Sequence, residues 1–111
     1  MGTNEGAGDT GGGAAGITDE QVGVTLNARR KADRFYDPPE ARRRVYDLDG
    51  ALYLKSRGSD HDNPEFHLLD PDDGWTLIFV VADDKPVIIT QCHRHWMYDT
   101  DARFTYIGGR R

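Results

Sequence analysis

The most continuous apolar segment of the chain lies between Gly74 and His93 and is interrupted once by polar residues. Its first half, TLIFVVA, is apolar on both faces, which is typical of a central strand that is covered by helices on one side. The DDKP segment at 83–86 predicts a tight turn. The second half, PVIITQCH, returns as a neighbouring strand, so the pattern predicts a hairpin at the centre of a sheet.

Alternation along this second strand divides its side chains into two sets. One side carries Val87, Ile89, Gln91, His93 and His95. The other side carries Ile88, Thr90, Cys92, Arg94 and Trp96. The two histidines would therefore project together from the end of the strand, and the arginine between them would project from the opposite side.

Shorter alternating segments on either side of the hairpin predict the other strands. Leu52 and Leu54 alternate with polar neighbours in ALYLKSRG, and EFHLLD follows as a short strand before the DPDDG turn. Apolar residues near the end of the chain predict an edge strand at 103–107. The intervening RGSDHDNPE segment is dense in turn-forming residues and predicts a loop.

Helical spacing of apolar residues appears only in the region 27–48. Ala28, Ala32 and Phe35 form one i, i+4, i+7 stripe after Asn27, which we interpret as an N-cap. A second stripe consists of Ala41, Val45 and Leu48 in PEARRRVYDL. The Asp37-Pro38-Pro39 corner separates them, because proline disfavours the α conformation in the preceding residue and donates no backbone hydrogen bond. Two short helices are predicted.

The segment ITDEQVGVTL allows two interpretations. Thr18 with Gln21 fits a capping box, which would begin a helix. Val22, Val24 and Leu26 alternate with small residues and fit a strand at 22–26. Gly23 and the β-branched valines favour the strand.

Together these elements predict an α+β fold in the order β-α-α-β-β-β-β. Two short helices would pack on one face of a mostly antiparallel sheet of 4–5 strands. Residues 1–16 include seven glycines and predict a disordered tail, since they offer too little apolar surface to bury. We expect a single domain at 17–107 and a basic C-terminal tail at 108–111.

Charge is segregated along the chain more strongly than the net charge of −5 suggests. The segments 27–57 and 85–111 carry an excess of bases, whereas 1–26 and 58–84 carry acids and no base. Such a pattern is compatible with one basic face beside acidic loops, and equally with charges that only keep the surface solvated.

The composition also limits where the chain works. One cysteine, Cys92, excludes an internal disulfide, and the N-terminus lacks the basic and apolar regions of a secretory signal. No apolar run is long enough to span a membrane as a helix. We therefore expect a cytoplasmic protein with no membrane association.

The order of elements resembles that of small toxin-like domains of the RelE/ParE superfamily. The similarity rests on VTLNARRKADRF, a second short helix, and then LYLKSRG, FHLLD, TLIFVVAD and PVIITQCH, over about residues 22–96. Where relatives open the first helix with His-Ala-Arg, this chain has Asn27. The resemblance implies an endoribonuclease that needs no metal or cofactor and cleaves RNA through its own 2′-hydroxyl. It also implies RNA and an antitoxin-like or host protein as partners.

Such cleavage requires a base, an acid and a cation at the phosphate, and the end of the second hairpin strand offers these residue types. His93 and His95 fit the proton transfers because histidine titrates near neutrality, and Arg94 fits the phosphate. Tyr98 is a further candidate. The candidates for binding the nucleic acid are Arg29, Arg30, Arg34, Arg42, Arg43 and Arg103.

Two other functions compete with this interpretation. Cys92, His93, His95, His61 and His67 include ligand types that zinc accepts, but their spacing does not match a zinc motif, so we predict no metal site. A non-enzymatic, mobile-element or phage-type interaction module would use a sheet edge or the basic helices to bind a protein partner.

Overall fold

The computed structural model describes residues 19–55, 63–93, 98 and 100–110, which form two helices and a six-stranded mixed sheet. The helices are α1, Leu26–Arg29, and α2, Pro38–Asp47, and a short 3₁₀ turn at Asp19–Gln21 precedes them. The strands are β1 (Gly23–Val24), β2 (Ala51–Lys55), β3 (Glu65–Leu69), β4 (Trp75–Ala82), β5 (Lys85–His93) and β6 (Phe104–Gly109).

The strands lie in the order β1-β5-β4-β3-β2-β6. All neighbours are antiparallel except β1 and β5, which are parallel. The predicted α+β class, the two helices and the central β4–β5 hairpin are confirmed, and so is the mostly antiparallel pairing. The predicted count of 4–5 strands was too low, because the first strand and the last strand both join the sheet, one at each edge. The proposed tail at 1–16 lies outside the described residues.

Helix α2 begins and ends through local capping. The Asp37 side chain accepts a hydrogen bond from the backbone N–H of Glu40, and Pro38 occupies the first helical turn. This N-cap and proline combination is favourable because the first-turn N–H groups have no partner inside the helix. The helix ends where Leu48 adopts a left-handed conformation, with φ of 52°. The predicted helix at 39–48 is thus shifted by one residue.

Helix α1 is much shorter than the apolar stripe predicted. Thr25, not Asn27, is its N-cap: the Thr25 hydroxyl accepts the N–H of Ala28 at 3.3 Å. After Arg29 the chain continues as turns, in which the N–H groups of Lys31 and Ala32 donate to the carbonyls three residues earlier, those of Ala28 and Arg29. Asn27 instead donates from its side chain to the carbonyl of Ile89. The predicted N-cap and helix length were therefore wrong.

A bulge at Ile89 overturns the predicted division of strand β5 into two faces. Ile88 pairs with Phe79, but Thr90 pairs with the adjacent Ile78, so one residue of β5 has no partner in β4. An extra residue inverts the alternation beyond it. Gln91 consequently faces the helices together with Ile88, and both are almost fully buried, at 1% and 0% exposure.

Each face of the sheet has its own apolar cluster. The helix face gathers Ala28, Tyr36, Ala41 and Val45 from the helical region against Leu68, Leu77, Phe79 and Ile88 of the sheet. The opposite face, which we call the tyrosine face, gathers Ala51, Tyr53, Leu69, Tyr98 and Phe104. Burial on both faces explains why β4 is apolar along its whole length.

The last strand, β6, extends two residues beyond the predicted end at 107. Gly109 has a φ of 89°, and a Cβ there would collide with the carbonyl oxygen of Gly50. The N–H of Arg110 donates to that same carbonyl. The closing residues thus follow the edge of β2, because glycine permits the close approach.

Within the described part of the chain, no helix has the length and apolar content needed to cross a membrane.

Candidate functional site

Gln91 fixes the segment that carries half of the predicted nucleic-acid-binding arginines, Arg29, Arg30 and Arg34. Its side-chain nitrogen donates to the carbonyls of Ala28 and Tyr36, at 3.1 and 2.8 Å, and its side-chain oxygen accepts the N–H of Tyr36 at 3.0 Å. A buried amide with three satisfied bonds is a rigid clamp, since breaking it would leave buried backbone groups unpaired. The turns between α1 and α2 are therefore held on β5 from inside the core.

Lys31 provides a second attachment of the same segment. Its ammonium group donates to the hydroxyl of Thr90 at 2.9 Å and to the carbonyl of Gln91 at 3.0 Å. These bonds lie along the part of β5 that β1 does not cover, because β1 reaches only Val87 and Ile88. Lys31 and Gln91 together set the position of the side chains from Arg30 to Phe35.

Four of the six arginines predicted to bind nucleic acid form no ion pair with the residues that the structure describes. Arg29 donates to the carbonyl of Val24 at 3.2 Å, and Arg42 donates to the carbonyl of Val22 at 3.1 Å. Arg30 and Arg34 are exposed and form no ion pair with the described residues. We call these four residues, Arg29, Arg30, Arg34 and Arg42, the outer arginines. Two of them cap the carbonyls of an edge strand, and their charge remains uncompensated.

Arg43, Arg44 and Arg110, the inner arginines, are in contrast surrounded by acids. Arg43 contacts Glu40 at 2.8 Å, and both Arg43 and Arg110 contact Asp49, at 3.3 and 3.1 Å. The hydrogen bond from Arg43 holds the pKa of Glu40 below its usual range, and the one from Arg110 does the same for Asp49. Arg43 was one of the predicted nucleic-acid contacts, and its charge is neutralised here.

The most buried part of this network lies under α2. Arg44 contacts Asp70 at 3.1 Å and stacks over the ring of Tyr36, with its guanidinium carbon 4.4 Å from the ring centroid. The Tyr36 hydroxyl donates to Asp70 at 3.2 Å. Burial raises the pKa of Tyr36, with Asp70 adding to the effect, so the hydroxyl keeps its proton.

Arg103, the sixth predicted contact, is paired with Asp101. Its guanidinium lies 2.7 Å from the carboxylate, and its backbone N–H donates to the same side chain. The Arg103 side chain, followed by that backbone bond, lowers the pKa of Asp101 to about 2. This pair precedes β6, far along the chain from the outer arginines.

An aromatic group lies beside Arg34 where β4 begins. Phe35 and Trp75 make an edge-to-face contact with ring centroids 5.7 Å apart, and the ring of Tyr36 also makes an edge contact with Trp75, at 5.2 Å. The guanidinium carbon of Arg34 lies 6.0 Å from the Phe35 ring centroid. His93 pairs with Trp75 across the β4–β5 hairpin. The structure thus places His93 at the same end of the sheet as Arg34.

The four predicted catalytic residues are not brought together as one described group. His93 is exposed, and its Nε2 lies 2.9 Å from the carbonyl oxygen of Asp73. Tyr98 lies in the cluster of the tyrosine face, whereas Trp75, the partner of His93, packs on the helix face. Arg94 and His95 lie outside the described residues, as do Trp96 and His61.

Tyr98 belongs to a buried chain of hydrogen bonds that sequence reasoning missed. His67 bonds the Tyr98 hydroxyl through Nδ1 and Glu65 through Nε2, each at 2.7 Å. The ring of Tyr53 stacks on Tyr98 with centroids 4.5 Å apart, and Lys55 lies 3.7 Å from the Glu65 carboxylate. Glu65, His67 and Tyr98 are 6%, 1% and 4% exposed. The i, i+2 spacing of Glu65 and His67 in EFH is the signal that could have placed both on one face.

This order, carboxylate to imidazole to hydroxyl, is that of a catalytic triad, but here it is enclosed. A neutral His67 satisfies it by donating from Nε2 to Glu65 and accepting the Tyr98 O–H at Nδ1. Glu65, His67 and Tyr98 are thus joined by hydrogen bonds in the interior, where none of the three residues is more than 6% exposed. These hydrogen bonds attach Tyr98, which precedes β6 in the chain, to His67 in β3.

Among the described residues, no three His, Cys, Asp or Glu side chains are arranged to hold a metal ion. Cys92 is half-buried and pairs with Thr76 in β4.

Comparison of the chain with protein-family models, with curated proteins and with solved structures finds no match in any of the three.

Proposed function

We propose that the protein binds RNA through the outer arginines. The observation that carries this proposal is their difference from the other arginines: Arg29, Arg30, Arg34 and Arg42 have no carboxylate partner among the described residues, whereas the inner arginines and Arg103 do. An arginine without a partner can neutralise a phosphate without first breaking an ion pair. The overall charge is −5, so such a surface must be local to attract a polyanion.

Phosphate contacts of this kind have a measurable salt dependence. Each neutralised phosphate of a single strand releases about 0.7 of a counterion, so four contacts give a slope of about −3 in log affinity against log salt. Loss of two arginines should reduce the slope by between 1 and 2.

The test compares two double variants that remove the same charge. Arg30→Ala with Arg34→Ala deletes two outer arginines, and Arg43→Ala with Arg103→Ala deletes two that are ion-paired. Fluorescence anisotropy with a labelled 12-nucleotide RNA, over a salt series, measures the affinity. We expect the first variant to lose about tenfold in affinity or more and the second less than threefold. Equal losses would overturn the assignment to the outer arginines, and no binding by the wild type would overturn RNA binding itself.

We further propose that the bound RNA is cleaved without a metal, as the RelE/ParE resemblance implies, with His93 as one of the proton-transfer groups. This role is supported by the exposure of His93 and by its position beside Trp75, at the same end of the sheet as Arg34. An RNA-cleavage assay in EDTA, comparing the wild type with His93→Ala and His95→Ala, tests it. Cleavage that survives both substitutions would remove these histidines from the proposal, and no cleavage by the folded wild type would remove the enzyme.

The interaction-module alternative has one observation in its favour. Strand β6 lies at the edge of the sheet, and Ile107 on it is 47% exposed. An edge strand with an exposed apolar side chain can accept an extended partner segment. Ile107→Lys would abolish such an association while leaving RNA affinity unchanged, which separates the two functions in one pull-down and anisotropy experiment.

A further inference from the structure

We propose that Phe35 and Trp75 form a platform on which unpaired bases stack, so that the protein selects single-stranded over double-stranded RNA. The inference rests on the proposed RNA binding and specifies its substrate class. Bases stack on aromatic faces with little regard to sequence, but only when they are not enclosed in a duplex.

The position of Phe35 supports this role. Phe35 is half-buried and is not part of the helix-face core, whereas the next residue, Tyr36, is. Its ring is attached to the protein by the edge-to-face contact with Trp75. Trp75 is likewise half-buried and packs against the core without entering it. Two large rings are thus left partly exposed on one surface.

Phe35 of this platform is held in place by attachments of the residues before and after it in the chain. Lys31 is bonded to Thr90 and to the carbonyl of Gln91, and Tyr36 is bonded to the Gln91 side chain. Phe35 lies between these two attachments, so little conformational freedom remains to be lost when a base binds. A preformed aromatic surface is what sequence-tolerant binding of single strands requires.

The platform also lies where a bound strand would pass. Arg34 is adjacent to Phe35 in sequence and lies over its ring, and His93 pairs with Trp75. A strand with phosphates at Arg30 and Arg34 would therefore place its bases toward Phe35 and Trp75. On this path the strand would also pass His93, the cross-strand neighbour of Trp75.

Three ligands of equal length test the inference: a 12-nucleotide single-stranded RNA, the corresponding 12-base-pair duplex, and a 12-residue abasic strand with phosphates but no bases. We expect the wild type to bind the single strand at least about fivefold more tightly than the abasic strand, the size of one stacked base. Phe35→Leu keeps an apolar side chain but removes the ring, and should abolish this preference without changing the salt slope.

Phe66→Leu is the matched control. Phe66 is also half-buried on the helix face, where its ring stacks on that of Phe79 with centroids 5.3 Å apart. Its substitution should leave the preference intact. A second readout is the fluorescence of Trp75 in a Trp96→Phe background, which should be quenched by the single strand and not by the abasic strand.

The outcomes separate this inference from the proposed function. Salt-dependent binding of equal strength to all three ligands, or an equal effect of Phe35→Leu and Phe66→Leu, would overturn the platform and leave RNA binding in place. No salt-dependent binding to any of the three would overturn both.

Discussion

Arg34 and Arg44 belong to the same basic segment, yet the fold gives them opposite environments. Arg44 stacks on Tyr36 and reaches Asp70 and Glu40, with 18% of its side chain exposed. Arg34 is exposed, lies over the ring of Phe35, and forms no ion pair with the described residues. The number of basic residues in a segment therefore says little about how many can meet a ligand. Helix geometry and the placement of acids decide it.

The difference follows from where helical geometry persists. In α2, Glu40 lies three and four residues before Arg43 and Arg44, and both reach it. Arg29 and Asp33 have the same spacing, but α1 ends at Arg29 and the two form no ion pair. Arg29 bonds the carbonyl of Val24 instead. Because α1 ends at Arg29, this arginine is not neutralised by Asp33.

The largest effect should come from the clamp that positions the outer arginines. Gln91→Leu leaves the N–H and the carbonyl of Tyr36 without the partners they have here and removes one of the hydrogen bonds of the Ala28 carbonyl, and we expect a loss of about 3 kcal/mol in the free energy of unfolding. Urea denaturation measures it. Gln91→Leu with a stability within 1 kcal/mol of the wild type would show that the segment is not fastened by this side chain.

Arg44→Leu tests the inner arginines. It leaves Asp70, 7% exposed, with only the more distant Arg110 as a cation, so we expect about 2 kcal/mol of lost stability. RNA affinity, measured below the unfolding transition, should stay within twofold of the wild type. A tenfold loss of affinity in the folded variant would remove the distinction between the two groups of arginines.

Lys31→Met tests a cation used for attachment to the sheet. The variant loses the bonds to Thr90 and Gln91, which should reduce stability by about 1 kcal/mol. Arg30→Ala deletes the same charge one residue earlier and should leave stability within about 0.5 kcal/mol of the wild type. Thermal denaturation of both proteins side by side makes the comparison, and equal Tm values would contradict it.

Glu40→Gln should give the smallest effect, below about 1 kcal/mol, because 39% of the Glu40 side chain is exposed and water screens its ion pairs. Arg43 holds the pKa of Glu40 below its ordinary value of 4.5. The stabilisation is therefore complete above that value and is lost as the pH falls through the folded pKa. The unfolding free energy of Glu40→Gln should fall less steeply between pH 5 and pH 3 than that of the wild type, as measured by urea titrations at each pH. Parallel curves would show that Glu40 contributes nothing.

Local patterns predicted the elements of this fold better than their extent. The β4–β5 hairpin and α2 follow from contiguous signals: apolar runs, a polar turn, and an Asp-Pro-Pro corner. The extra strands and the shortened α1 depend on distant partners, since β1 pairs with β5 and α1 is capped and held against Ile89 and Gln91. Pairing over such separations is not encoded in periodicity.

The candidate site was foreseeable in its residue types but not in its grouping. The basic residues at 29–34 and His93 were evident, and the structure adds that Arg34 and His93 flank the same pair of rings. Which arginines are neutralised required knowing where Asp49, Asp70 and Asp101 lie in space. Tyr98 was selected as a candidate, but its partners were not: His67 was considered only as a metal-ligand type, and Glu65 was not considered.

The bulge at Ile89 has a consequence for how this chain could diverge. Between the turn and the bulge, the even-numbered residue Ile88 faces the helices. Beyond the bulge the odd-numbered residue Gln91 does so, because the alternation of faces has shifted by one residue. If the same number of residues paired without the bulge, so that Ile89 took a partner in β4, Gln91 would face away from Tyr36 and this attachment would be lost, although no side chain had changed. In this protein the bulge in one strand, more than the composition of that strand, is what selection would have to preserve.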